Sequence, residues 1–212
     1  MADRPKEGAR AAPLVRAALA DHAQLSARLT DEHLVAEVAA VGEGLVAAFG
    51  EGRKVVLFGN GGSAADAAHL AAEFVGRCTR DRPALPAVHL GDSTPGLTAV
   101  ANDFGYRHVF ERGVQAFVGP GDVVIGMTTS GRSENVLRGL AEAGRRGAVT
   151  VAMCGADDAD LRPTVTHCLA VPSSSTPRVQ EVHLLWGHLW AELVDWTLAD
   201  QAADEASGTD PA

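Results

Sequence analysis

The apolar positions of this chain change their period near residue 53. Between Pro13 and Leu29, Leu14, Ala18, Leu25 and Leu29 recur near helical spacing, and Thr30, Asp31 and Glu32 then read as a cap with an acidic first turn. A second stripe, Leu34, Val35, Val38, Val41, Leu45, Val46 and Phe49, predicts a helix that Gly50 and Gly52 stop. Two helices ahead of any strand need partners, either the later sheet or another subunit. From Arg53 short apolar runs alternate with helical segments. VVLF (55–58), AVHL (87–90), DVVIGM (122–127), VTVAM (149–153) and CLAV (168–171) read as buried strands, with helical patterns at about 63–77, 107–118, 133–145 and 178–198. Apolar strands separated by helices predict a parallel sheet covered on both faces. The fold class is therefore three-layer α/β/α, preceded by two N-terminal helices. Residues 1–12 and 199–212 lack apolar periodicity and read as flexible tails on a single domain spanning 13–198.

Composition narrows the class of function. The chain has 212 residues, with 27 acidic against 18 basic side chains and a net charge of −9, so it carries no broad electrostatic footprint for nucleic acid or an anionic membrane. Its length suffices for a core without metal or disulfide staples. Cys78, Cys154 and Cys168 are odd in number and show no CxxC spacing, which argues against a disulfide framework and a cysteine zinc site. Residues 1–12 lack the apolar core of a signal peptide, and no stretch reaches about 18 uninterrupted apolar residues. A cytoplasmic protein is expected.

In an open parallel sheet, ligands bind at the carboxyl ends of the strands near a topological switch point, so the loops there carry the information. After VVLF come Gly59, Asn60, Gly61, Gly62 and Ser63, followed at once by the helical run AADAAHLAAEF. Glycines let backbone approach an oxyanion and a helix N-terminus offers unpaired N–H groups, so this loop suits an anion. It equally suits a tight turn in which Ser63 is the N-cap and Asp66 closes a capping box. Gly59-x-Gly61-x-x-Ala64 formally matches a dinucleotide fingerprint, but no acid follows at the end of a second strand about 20 residues on, and no GxxxxGK[ST] is present. After DVVIGM come Thr128, Thr129, Ser130, Gly131, Arg132 and Ser133, again opening a helix. Several neutral hydroxyl donors beside a glycine suit a phosphate monoester, and two such loops in one sheet favour a phosphate site over two ordinary turns. Arg132 reads as a solvated arginine beside that site.

His69 and Glu73 are spaced i, i+4 and share one helix face, where they could meet a metal ion or form an ordinary hydrogen-bonded couple. The last helix carries Gln180, Glu181, His183 and His188 within RVQEVHLLWGHLW. His188 lies among Trp186, Leu189 and Trp190 and reads either as a core histidine or as a functional one; His183 reads as structural. Gln180 and His188 stand eight residues apart, about 12 Å of helix rise, so they share one ion only if both lean inward or if different subunits supply them. Asn102 and Asp103 precede Phe104 and Gly105 and read as a loop that binds sugar hydroxyls or as an Asx-turn before the next helix.

Taken in order and spacing, GNGGSAADAAHLAAEFVGR, ANDFGYRHVF, TTSGRSENV and RVQEVHLLWGH resemble the sugar isomerase (SIS) domain family, and within it the bacterial phosphoheptose isomerases, over roughly residues 15–198. The resemblance implies a SIS domain with a five-stranded parallel sheet, a cytoplasmic homotetramer with active sites at subunit contacts, and a sugar-phosphate substrate. It implies conversion of sedoheptulose 7-phosphate to D-glycero-D-manno-heptose 7-phosphate with one zinc ion per subunit. Carried over by position, the zinc ligands are His69, Glu73, Gln180 and His188, with Glu73 and His188 as the acid/base pair. Substrate contacts fall on Asn60, Gly61, Gly62, Ser63, Glu73, Asn102, Asp103, Thr128, Thr129, Ser130, Ser133 and Gln180. Thr128 stands where the family usually has serine and Arg132 where it commonly has asparagine. Two other expectations compete: a non-catalytic tetramer that binds the replication initiator, and an isomerase of another sugar phosphate.

Overall fold

Each of the five apolar runs forms a strand, and the order in space departs from the order in sequence. A computed structural model describes residues 8–208. Strands β1 (Val55–Gly59), β2 (Ala87–His89), β3 (Val123–Thr128), β4 (Val149–Cys154) and β5 (His167–Ala170) pair in parallel as β2-β1-β3-β4-β5. Helices α1 (Gly8–Arg28) and α2 (Glu32–Gly50) precede the sheet; α3 (Gly62–Val75), α4 (Thr94–Phe104), α5 (Val109–Phe117) and α6 (Glu134–Arg145) lie between strands, and α7 (Thr176–Gly208) follows.

The two-residue repeat of the strands sorts their side chains into two cores. Val55, Leu57, Val123, Ile125, Met127, Val151 and Met153 face one layer, where Val41 and Leu45 of α2, Leu70 and Phe74 of α3 and Trp186 and Trp190 of α7 pack on them. Val56, Phe58, Val124, Ala152 and Cys154 face the other, against Val109, Phe110 and Val114 of α5 and Val136 and Leu140 of α6. By length and composition α2 could cross a membrane, with a mean hydropathy of 1.4 in its best window, but Val41 and Leu45 lie in the core and Trp190 Nε1 donates to the Val38 carbonyl at 2.9 Å. The apolarity of α2 serves its contact with α7. By contrast α1 leaves Leu14, Val15 and Leu19 exposed.

The structure corrects the sequence reading at several boundaries. Asp31 caps α2 as expected, its Oδ1 accepting from the N–H groups of His33 and Leu34. Asn102 and Asp103, read above as a loop or an Asx-turn, belong to helix α4 (Thr94–Phe104), at whose start Ser93 accepts from the Gly96 N–H at 3.1 Å, with Pro95 in the first turn. Ser63 is not an N-cap and Asp66 closes no capping box; the cap is Gly61, which bonds through no side chain. Helix α1 begins at Gly8 and α7 continues to Gly208, inside the stretches read as tails, because Ala-rich sequence extends a helix already nucleated by packing. Residues 1–7 and 209–212 lie outside the described residues. All three cysteines are free, with Cys154 Sγ and Cys168 Sγ 4.0 Å apart.

One buried ion pair ties α7 to the end of α3. Asp195 Oδ2 accepts from the N–H groups of Cys78, Thr79 and Arg80 at 2.8, 2.7 and 3.1 Å, and its Oδ1 takes the Arg82 Nε at 2.8 Å. Arg82 spends its remaining N–H groups on the carbonyls of Glu73, Phe74, Gly76 and Pro83, so it caps α3 immediately after Glu73. Both side chains are fully buried. Burial alone would raise the Asp195 carboxyl, but the three N–H groups and Arg82 outweigh it and hold it below the ordinary value. Its contribution is therefore complete above the unfolded value of about 3.9 and is lost as pH falls through the lower folded one. We expect Arg82→Ala to cost about 3–5 kcal/mol at neutral pH in urea unfolding. The gap from wild type should narrow only as pH falls through the lowered folded value of Asp195, where the carboxyl becomes neutral in wild type as well.

Candidate active site

Chain order reverses at β1: the next strand, β2, lies on one side of it and β3 on the other, so the loops after β1 and β3 emerge side by side at the carboxyl edge. In the first loop Gly59 cannot carry a side chain, because a Cβ there would lie 2.8 Å from the Ser63 Cβ and carbonyl oxygen. Gly61 adopts φ +56°, which an L side chain rarely does. Ser63 is buried beneath Gly59. Asp66 is also buried; its Oδ2 finds no partner among the described residues, and burial raises its carboxyl against the opposing pull of His69.

In the second loop three hydroxyls gather at the start of α6. Thr128 Oγ1 donates to Ser133 Oγ at 3.0 Å and lies 3.4 Å from Ser130 Oγ, which accepts from the Arg132 N–H at 3.2 Å. Ser133 is the N-cap of α6 by position, yet its hydroxyl bonds no N–H of the helix. The hydroxyl is turned into the cluster instead. Gly131, at φ +68°, lets the loop press on the next one: a Cβ there would lie 2.2 Å from the Asp157 carbonyl oxygen. Arg132 is exposed and pairs with Asp157, in keeping with a solvated arginine. Thr129 is half-buried beside this cluster.

The two loops are joined by side-chain amides. Asn60 Nδ2 donates to Asn135 Oδ1 at 2.9 Å, and Asn135 Nδ2 donates to Asn60 Oδ1 at 2.8 Å. Tyr106 donates its O–H to Asn60 Oδ1 at 2.8 Å, and the Val136 N–H donates to Asn135 Oδ1 at 3.0 Å. Sequence pattern singles out neither Asn135 nor Tyr106. Asn135 was detectable as a polar residue on the face of α6 that buries Val136, Gly139 and Leu140; Tyr106 gave no such signal. Asn102 and Asp103 occupy the last turn of α4 rather than a loop, with Asn102 Nδ2 donating to Asp103 Oδ1 at 2.9 Å.

Titratable groups meet where α3 and α7 run side by side. His69 Nε2 lies 2.9 Å from His188 Nε2 and 3.5 Å from Glu73 Oε1. The three residues offer ligand atoms all within 4.8 Å of one another. Two imidazole nitrogens and a carboxylate form a donor set that suits zinc, and ligands about 2.1 Å from a tetrahedral ion stand ~3.4 Å apart, close to the spacings observed. These three residues fit a metal ion. Gln180 lies elsewhere within the chain: its amide packs on Gly62, where a Cβ would be 2.3 Å from Nε2. Gly62 precedes His69 by seven residues, ~10 Å of helix. His188 is half-buried and faces the cluster, whereas His183 is fully buried; burial pushes His183 down to about 4, so it is neutral at physiological pH. The crossing itself depends on Gly187, since a Cβ there would lie 2.3 Å from the Leu70 methyls, one residue along from both His69 and His188.

The model of the SIS domain family matches residues 19–155. A phosphoheptose isomerase of Burkholderia pseudomallei is 46% identical over 174 residues, covering 82% of this chain and 88% of that protein. One of Aquifex aeolicus is 48% identical over 160 residues, covering 75% of this chain and 84% of its own length. The chain belongs to the phosphoheptose isomerase family of SIS-domain proteins. The solved phosphoheptose isomerase of Neisseria gonorrhoeae superposes with a TM-score of 0.81 at 34% identity, covering 86% of this chain and 97% of that one. That of Francisella tularensis gives 0.83 at 27% identity, covering 87% and 97%. Like the family, this chain is a sugar-phosphate isomerase, and its substrate is a sugar phosphate. In this isomerase His69, Glu73 and His188 are a candidate metal site.

If the α3–α7 crossing sets the spacing of those residues, Gly187→Ala should cost about 1–3 kcal/mol and lower kcat/KM. Gly44→Ala on α2 faces open space and should gain about 0.5–1 kcal/mol with unchanged turnover, measured by thermal unfolding and a coupled isomerase assay.

Proposed function

We propose that this isomerase interconverts sedoheptulose 7-phosphate and D-glycero-D-manno-heptose 7-phosphate through an enediolate. The observation that carries the reading is the meeting of His69, Glu73 and His188 beside a sheet edge that also gathers the hydroxyls of Thr128, Ser130 and Ser133. Shifting a carbonyl from C2 to C1 needs one group to move a carbon-bound proton and another to move oxygen-bound protons. The Glu73 carboxylate takes a C1 proton from the ketose; the freed electron pair forms the C1–C2 double bond as the C2 carbonyl becomes an oxyanion. His188 gives a proton to O2 and takes the O1 proton, and Glu73 returns its proton to C2 as the carbonyl forms at C1. Lewis-acid polarisation of the carbonyl is the chemistry that zinc supplies when held by His69, Glu73, Gln180 and His188.

Thr128, Thr129, Ser130 and Ser133 hold the phosphate, remote from the reacting carbons. Asn60, Gly61, Gly62, Ser63, Asn102, Asp103 and Gln180 line the path of the sugar. Anchoring at the phosphate lets binding energy fix the orientation of C1 and C2. The three free cysteines suit a reducing compartment, and we place the enzyme in the cytoplasm.

Within one chain Gln180 stands about two turns from the other proposed ligands, which favours an assembly in which subunits complete one another's sites. Leu185, Leu189, Leu193 and Trp196 form an exposed stripe along α7, and beside it Leu29, Val35, Val38 and Ala39 help to line an apolar cavity of about 280 Å³. We propose that this face joins the subunits of a homotetramer.

Purified protein should convert sedoheptulose 7-phosphate; chelation should abolish turnover and zinc restore it. Glu73→Gln and His188→Gln should each lower kcat by ~10²–10⁴ while remaining folded. Turnover of a shorter ketose phosphate without turnover of the heptulose phosphate would overturn the assignment. Light scattering should give about four times the 21.9 kDa chain, and Leu189→Glu should lower that mass; a monomeric wild type would refute the tetramer.

A further inference from the structure

The amide pair that joins the two loops has only one self-consistent orientation. The Val136 N–H can only donate, so the Asn135 atom 3.0 Å from it is the oxygen. That places Asn135 Nδ2 against Asn60 Oδ1 at 2.8 Å, and leaves Asn60 Nδ2 to meet Asn135 Oδ1 at 2.9 Å. Tyr106, whose hydroxyl can donate or accept, follows this orientation and donates its O–H to the Asn60 oxygen that already accepts from Asn135. Two donors occupy the Asn60 oxygen, whereas its nitrogen has committed only one of two hydrogens. The second N–H, trans to the Asn60 carbonyl, is unused among the described residues. It sits between Gly59 and Gly61, in the loop that opens α3.

We propose that Asn135 is a positioning residue that locks the Asn60 amide with this spare N–H toward the sugar phosphate; the role of the N–H rests on the function proposed above. A reversed Asn60 would present carbonyl lone pairs to an acceptor-rich ligand and repel it. Asn135 is 4% exposed, so its amide is held rigidly, and it begins the helix that carries the phosphate loop. Closing both loops on one amide pair therefore links occupation of the second loop to the donor presented by the first. Tyr106, next to the C-cap of α4, brings the segment bearing Asn102 and Asp103 into the same network.

Three variants test this. Asn135→Asp keeps the acceptor for Val136 and for Asn60 Nδ2 but turns a second oxygen on Asn60 Oδ1; Asn135→Leu removes both bonds; Asn60→Ala removes the presented group. Each should raise KM for sedoheptulose 7-phosphate by ~10–100-fold with kcat changed only a few-fold. The Asn60→Ala/Asn135→Leu double variant should be no worse than Asn60→Ala alone, because Asn135 acts through Asn60. A second readout does not depend on turnover. In side-chain amide NMR the two Asn60 protons should differ in exchange, one protected and one fast, and protection should be lost in Asn135→Leu. Additive effects in the double variant, KM within twofold for both Asn135 variants, or Asn60 protons unaffected by Asn135→Leu would overturn the proposal. Failure of wild type to turn over the heptulose phosphate would instead overturn the substrate assignment, with the NMR comparison still deciding whether Asn135 positions Asn60.

Discussion

The close parallel contact between α3 and α7 is the constraint on which the rest of the site depends. It is made possible by missing side chains: Gly62 admits the Gln180 amide and Gly187 admits Leu70. Farther along, buried Asp195 and Arg82 fasten α7 to the C-terminal turn of α3. Between these contacts His69 and Glu73 from one helix face His188 from the other. Because Leu70 and Gly187 adjoin the two histidines in sequence, the gap between imidazoles is governed by how closely two backbones approach. Longer side chains at the crossing would change that gap even with every titratable residue retained.

The second organising feature is the reversal of strand order at β1. It brings together two glycine-containing loops that are about 70 residues apart in sequence, as a doubly wound sheet does at its ligand-binding edge. Nothing in the apolar periodicity requires the loops to communicate. Their link is polar and specific, two amides in reciprocal contact, with Tyr106 attaching a third segment. Hydroxyls at the second loop and backbone at the first are thus held in one frame before any ligand arrives. Preorganisation of this kind limits the ordering cost of binding a flexible, acceptor-rich sugar phosphate.

Much of this was legible in the sequence because burial on both faces leaves an apolar run that few other elements produce. All five strands, the capping of α2 by Asp31 and the i, i+4 placement of His69 and Glu73 followed from pattern alone. What escaped did so for physical reasons. Helix α4 starts with Ser-Thr-Pro-Gly, which reads equally as a turn, and it has no buried residue to impose a period. Ser63 looked like a cap because hydroxyls commonly are, but Gly59 requires that side chain to pack inward. Asn135 was overlooked because its value lies in a partner 75 residues away, a distance in sequence that local reasoning does not span. Histidine roles on α7 followed burial: His183 went to the core and His188 to the cluster, as expected for the first and left open for the second.

The match to the SIS family model ends at residue 155, before α7 begins at Thr176. That segment contains β1 to β4, the glycine cradle, the hydroxyl loop and the amide pair. Gln180 and His188 come after it. The candidate metal site is thus divided between two stretches of the polypeptide, with His69 and Glu73 inside the matched segment and His188 beyond it. During synthesis the strands and the phosphate loop emerge first, and the histidine opposite His69 arrives only with the last helix. A chain shortened before Thr176 would lose Trp186 and Trp190 from the core and His188 from its place opposite His69, so the last helix completes the packing and the candidate metal site together.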